Sequence, residues 1–156
     1  MTLPRVEILH GPNLNLLGER EPELYGQTSL SELDARLVRD GAALGVEVAC
    51  AQSNHEGALV DAVQEARHRA AALIVNLGAY THTSVALRDA VAAVRTHLVV
   101  IEVHLTAPSG RESFRRENLF ADLVHGRIEG FGPLSYVLAL RAASELIRAR
   151  GDVRDQ

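Results

Sequence analysis

Residues 6–26 read Val-Glu-Ile-Leu-His-Gly-Pro-Asn-Leu-Asn-Leu-Leu-Gly-Glu-Arg-Glu-Pro-Glu-Leu-Tyr-Gly. The first four form a short apolar strand, and the glycine-bounded segment 11–26 that follows is a polar loop. Strand, loop and then helix is the unit whose recurrence decides the fold. Further strand patterns lie at residues 46–51, 72–76, 98–104 and, more weakly, 126–129. Helical stripes fall between them. Leu30, Leu33, Leu37 and Leu44 share one face, opened by the capping box Ser29-x-x-Glu32. Leu59, Val63, Ala66 and Ala70 form a second stripe, with Ser53-x-x-Glu56 as its expected box. Leu87, Val91 and Val94 mark a third helix. Leu134, Leu138, Ala142 and Leu146 mark the last, with Pro133 suited to its first turn.

Helix-sized inserts between apolar strands predict βαβ units and a parallel sheet, hence the α/β class. Five strands suggest a flavodoxin-like three-layer sandwich, with sheet order 2-1-3-4-5 and helices on both faces. Residues 1–150 form the expected single domain, and residues 151–156 a frayed tail. In such sheets ligands bind beyond the C-terminal ends of strands 1 and 3. The polar residues obey that rule. Asn13, Arg20 and Tyr25 follow strand 1, Asn76, Tyr80 and His82 follow strand 3, and His104 and Thr106 end strand 4.

Composition narrows the function. The chain has 156 residues, 47% hydrophobic and 23% charged, ordinary for a globular domain with a core. A net charge of −4 gives no basic footprint, so no nucleic-acid partner is expected. No apolar run is long enough for a membrane span, and the N-terminus lacks a signal-peptide core, so a cytoplasmic protein is expected. The single cysteine, Cys50, excludes an internal disulfide and reads as a small buried hydrophobe in strand 2.

Three segments carry chemistry. In the first loop, Arg20 can hold a Tyr25 phenolate and bring a phenol that titrates near ~10 toward the range of a general base. The alternative is a surface pair between Arg20 and Glu19, Glu21 or Glu23, with Tyr25 packed. In Ile101-Glu102-Val103-His104-Leu105-Thr106, alternation puts Glu102 and His104 on one strand face, where the carboxylate can orient the imidazole as a general acid. Zinc held by Glu102, His104 and His82 is an alternative, without an HExxH motif or a cysteine pair behind it. Segment 109–117 contains Arg111, Arg115 and Arg116, either a solvated face or, for one of them, a donor to substrate hydroxyls or a carboxylate. Thr83 and Ser84 read as caps for the third helix.

Taken in order, these segments resemble the type II 3-dehydroquinate dehydratases. The resemblance runs through Gly-Pro-Asn-Leu-Asn-Leu-Leu-Gly (11–18), Arg-Glu-Pro (20–22), Tyr25-Gly26, Gln-Ser-Asn-His-Glu-Gly (52–57), Ala-Tyr-Thr-His-Thr-Ser-Val-Ala-Leu (79–87), Glu-Val-His (102–104) and Arg111-Glu112-x-Phe114-Arg115. It implies that Tyr25 removes a C2 proton from 3-dehydroquinate and that Arg20 stabilises the phenolate. Asn13 would hold a water against the enolate, and His104, oriented by Glu102, would protonate the leaving C1 hydroxyl. Asn76 would contact that hydroxyl region, Arg115 and His82 the ring hydroxyls, and the N–H groups of Leu105 and Thr106 the carboxylate. The resemblance also implies a homo-oligomer, a dodecamer built from trimers, in which Asp89 reaches a neighbouring site. No metal or organic cofactor is implied. Two departures stand out: Thr106-Ala107-Pro108 replaces a Ser-Asn found in many members, and Leu77 replaces a common proline. An inactive paralogue that binds a related cyclic polyol acid is the competing function, and a flavin or phosphoacceptor module is a weaker third.

Overall fold

Five parallel strands form one sheet in the order β2-β1-β3-β4-β5. The strands are β1 (Arg5–His10), β2 (Glu47–Gln52), β3 (Ala72–Asn76), β4 (Val99–His104) and β5 (Gly126–Glu129). The computed structural model describes residues 2–154, without the side chains of Leu24, Tyr25 and residues 152–154. Short helix α1 (Pro22–Tyr25) lies in the first loop, and α2 (Leu30–Leu44), α3 (Glu56–Arg69), α4 (Val85–Val94) and α5 (Leu134–Arg154) cover the sheet. The predicted order and class are therefore found.

Alternation along the central strands sorts the core into two layers. Val6 and Ile8 of β1, Ala72 and Ile74 of β3, and Ile101 and Val103 of β4 face α2 and α5, where Leu33, Leu37, Tyr136 and Leu140 meet them. Leu9, Leu73, Val75 and Val100 point the other way, into Leu59 and Val63 of α3 and Leu87 and Val91 of α4. Burying each such side chain contributes roughly 1.5–3 kcal/mol. With both faces covered, the sheet leaves the ends of its strands for ligands.

Several local expectations need correction. The last helix buries Tyr136, Ala139, Leu140 and Ala143, not the predicted leucine stripe; Leu134, Leu138 and Leu146 are exposed. Ala139 and Ala143 let the helix lie close to the sheet, which outweighs the larger side chains on its other flank. The same helix runs to Arg154, four residues into the expected tail, with Gly151 tolerated inside it at about 1 kcal/mol. Asp155 and Gln156 lie outside the described residues. Ser29 caps α2 by accepting from the Glu32 N–H at 3.2 Å. Ser53, however, accepts from the His55 N–H at 3.0 Å, a tight turn that leaves His55 as the N-cap of α3. Ser84 caps α4 through the Leu87 N–H at 3.0 Å. Cys50 is half-buried rather than buried, with its thiol hydrogen-bonded to Asp34.

At the C-terminal rim the ends of β1 and β3 touch. Gly11 donates to the Asn76 carbonyl at 2.7 Å, and a Cβ on Gly11 would sit 2.6 Å from the Leu77 carbonyl carbon. Only glycine fits there. The two loops that leave this crossing carry most of the polar residues singled out from the sequence.

Candidate active site

Beyond that crossing lies a cavity of about 170 Å³. It is small against the ~300–1,000 Å³ of sites for drug-sized ligands, and suits a single-ring molecule. Asn13, Arg20, Asn76, His82, His104, Leu105, Thr106 and Arg115 all line it, so eight of the predicted site residues meet in one place. Arg111 and Pro108 line it too. Among the described residues the wall holds three arginines and two histidines and no carboxylate. That charge balance favours an anionic ligand.

The first loop is held by backbone strain and by strand β2. Asn13 and Glu21 both adopt left-handed backbone, at φ 70° and 43°, which costs a non-glycine residue about 1 kcal/mol or more. Asn54 offsets this at the near end: its Oδ1 accepts from the Asn13 N–H and from Gln52 Nε2, both at 3.0 Å. Gln52 Nε2 also donates to the Gly11 carbonyl at 3.2 Å. At the far end the Glu21 carboxylate lies 3.7 Å from Arg20 Nη2 and 3.8 Å from Arg111 Nη2, between two guanidinium groups. Arg20 therefore has the acidic neighbour of the alternative reading and still faces the cavity. Tyr25 ends α1; its side chain lies outside the described residues.

A 3-10 turn at Gly78–His82 follows β3. Gly78 takes φ 55° there, beside the Pro12 carbonyl. His82 Nδ1 meets the Glu117 carbonyl, which can only accept, so Nδ1 carries a proton and Nε2 remains for a ligand. Asn76 closes β3, buried, and its Oδ1 accepts from the Gly78 N–H at 3.3 Å.

Strand β4 supplies the third part. Its alternation does place Glu102 and His104 on one face, both buried, with His104 Nε2 3.3 Å from Glu102 Oε1. That contact lacks hydrogen-bond geometry, and Nε2 has no other partner among the described residues. Sequence reasoning missed the group that holds Glu102. Asn118 Nδ2 donates to both carboxylate oxygens, at 2.6 and 3.0 Å. Among the described residues, Glu102, His104 and His82 do not bring their ligand atoms close enough together to share a metal ion, so the zinc alternative finds no support in their geometry. Asp89 is exposed on α4 and lines no part of the cavity.

Behind the cavity, on the α2–α5 face, a second polar group is closed on itself. His10 is buried with Nε2 donating to Asp34 at 2.8 Å and Nδ1 meeting the Tyr136 hydroxyl at 2.9 Å. Burial, followed by the Asp34 charge, pushes the Cys50 thiol up, and burial does the same to the Tyr136 phenol. His10, Asp34 and Cys50 lie within metal-ligand distance of one another, but both imidazole nitrogens are already engaged.

A doubly wound sheet with a small cationic cavity at its switch point defines an α/β enzyme that acts on a compact anion. The sequence makes the class specific: residues 4–144 match the family model described as Dehydroquinase class II, and the chain belongs to that family. A relative from Nostoc sp., named 3-dehydroquinate dehydratase, is 52% identical over 86% of this chain and 90% of its own length. One of the same name from Prochlorococcus marinus is 47% identical over 92% of this chain and 95% of its own. The crystal structure of type II dehydroquinase from Butyrivibrio crossotus superposes with a TM-score of 0.87 at 37% identity, covering 94% of this chain and 98% of that one. That from Propionibacterium acnes gives 0.88 at 33% identity, covering 92% and 98%.

Proposed function

We infer that the chain dehydrates 3-dehydroquinate to 3-dehydroshikimate, in the shikimate pathway or in quinate breakdown. The observation that carries this is the convergence of Asn13, Arg20, Asn76, His82, His104 and Arg115 on one cavity without a carboxylate in its described wall. The substrate is a ring carboxylate with several hydroxyls, and the wall offers arginines for the one and amide and imidazole groups for the others.

The resemblance to the family assigns the roles, and the shared cavity wall of the described residues supports them. Tyr25, as phenolate beside Arg20, takes the C2 proton, and the electron pair moves onto the C3 carbonyl oxygen as an enolate. A water held by Asn13 stabilises that charge as it develops. Collapse of the enolate expels the C1 hydroxyl, which leaves as water with a proton from His104. Glu102 steadies the imidazolium that precedes this step. His82 Nε2, Arg115 and Asn76 hold ring hydroxyls, and the N–H groups of Leu105 and Thr106 meet the substrate carboxylate. Pro108 stiffens the turn beyond Thr106 and contributes no N–H. Arg111, on the same wall, is the cation nearest in kind to what that turn lacks.

The functional unit in this reading is a homo-oligomer of trimers, assembled to a dodecamer in the cytoplasm, with Asp89 reaching a neighbouring site. Exposed Phe131, Leu134 and Leu138 supply apolar surface for such contacts. The test is direct: purified protein mixed with 3-dehydroquinate should develop the near-ultraviolet absorbance of the conjugated enone. Tight binding of 3-dehydroquinate without that signal would instead favour the inactive paralogue, for which Pro108 in the cavity wall is the motivating observation.

A further inference from the structure

Asn118 stands outside every segment that identifies the site, and it does not line the cavity. It nevertheless holds the group that faces His104. Its Oδ1 accepts from the Phe120 N–H at 2.8 Å and the Ala121 N–H at 3.0 Å. Those two donors fix which end of the amide is oxygen, so the NH₂ end must face Glu102, where it donates at 2.6 and 3.0 Å. Among the described residues these are the hydrogen bonds that the Glu102 carboxylate receives. Glu102 is 2% exposed, on the face of β4 otherwise lined by Val100, Leu87 and Phe120. A buried carboxylate with so few partners depends heavily on each.

The chain around Asn118 is tied to the same region. The preceding carbonyl, of Glu117, holds His82 Nδ1, and the following N–H, of Leu119, donates to the Thr81 carbonyl at 3.0 Å. The Leu119 carbonyl accepts from Arg88 Nη1 at 2.6 Å. Two consecutive residues, Glu117 and Asn118, thus reach both cavity histidines: one through a carbonyl, the other through a carboxylate.

We propose that Asn118 is a positioning residue for the acid half of the site: by clamping both oxygens of Glu102 it sets the orientation of the His104 ring. The proposal rests on the reading of His104 as the proton donor. Asn118→Asp is the sharpest probe. It keeps an oxygen to accept from the Phe120 and Ala121 N–H groups, and so keeps the turn, while removing both donors to Glu102. The full-length variant should unfold at a lower midpoint, because Glu102 loses its donors and gains a like charge, but remain folded at assay temperature and lose kcat by about 10- to 100-fold, with KM changed far less. The ¹⁵N signals of the His104 ring, read in long-range correlation spectra, should shift in Asn118→Asp and in Asn118→Ala. A folded Asn118→Asp with wild-type kcat and unmoved His104 signals would overturn the proposal. His104→Gln separates the two claims: if it still turns over 3-dehydroquinate, the acid assignment fails, while the ring signals continue to decide whether Asn118 orients His104.

Discussion

His104 Nε2 approaches Glu102 Oε1 to 3.3 Å without reaching hydrogen-bond alignment, and both groups are buried. An imidazole and a carboxylate at this distance need only a small movement to close into a hydrogen bond in the reacting complex. Glu102→Gln keeps the shape and removes the charge. The expected result is a kcat lower by about 100-fold with little change in KM, the signature of an interaction made in the transition state. Steady-state kinetics at one pH decide it; a change confined to KM would move Glu102 from the acid to substrate binding.

Tyr25 carries the other half of the chemistry in the proposed reaction. Tyr25→Phe removes only the phenolic oxygen, so folding should be unchanged while turnover drops by about 1,000-fold or more. Wild-type activity in a folded Tyr25→Phe protein would eliminate the tyrosine base.

The crossing of β1 and β3 predicts a stability effect. In Gly11→Ala the new methyl would lie 2.6–2.9 Å from Leu77 backbone atoms, which cannot swing aside as a side chain would. Overpacking of this kind costs roughly 1–3 kcal/mol. Urea unfolding should show a lower midpoint with an unchanged slope. An unaltered midpoint would mean that the crossing has slack.

An acid-side effect follows from Asp122, which accepts from Arg88 Nη1 at 2.6 Å and Nη2 at 2.8 Å. The Arg88 hydrogen bonds hold its carboxyl down to about 2, from an ordinary 3.8. With the folded value below the unfolded one, the unfolded chain binds more protons in this window, so stability rises with pH. The pair's contribution is complete above about pH 4 and is lost as pH falls toward 2. Asp122→Asn should therefore be less stable than wild type at pH 5, and the gap should close near pH 2. A gap that persists at pH 2 would place its cause elsewhere.

How far the sequence could be read depended on the range of each interaction. Strands β1, β3 and β4 showed themselves because runs such as Ala-Leu-Ile-Val-Asn need no partner to be recognised as buried on both faces. The face of α5 did not. Leu134, Leu138 and Leu146 carry more apolar surface than Ala139 and Ala143, and nothing local says that closeness to the sheet decides the matter. The gathering of Asn13, Asn76, His82 and His104 was legible through the rule for strand ends. Asn118 was not: its bond to Glu102 spans 16 residues and belongs to no periodicity. Ser53 shows the same limit at short range, since its spacing to Glu56 fits a capping box while the helix begins two residues later, with His55 as its N-cap.

Strand β2 gives nothing to the cavity wall, yet its last residue, Gln52, and Asn54 just beyond it hold the Asn13 end of the first loop. It is also an edge of the sheet, paired on one side only. Edges fray at lower cost than the interior. The order of loss on denaturation follows: as urea is raised, β2 should open first and release the loop while β1, β3 and β4 stay closed. Turnover would then vanish ahead of the global transition, and amide exchange at Cys50–Asn54 would be fast relative to Leu73–Val75, making this margin of the molecule the clock that sets its working lifetime.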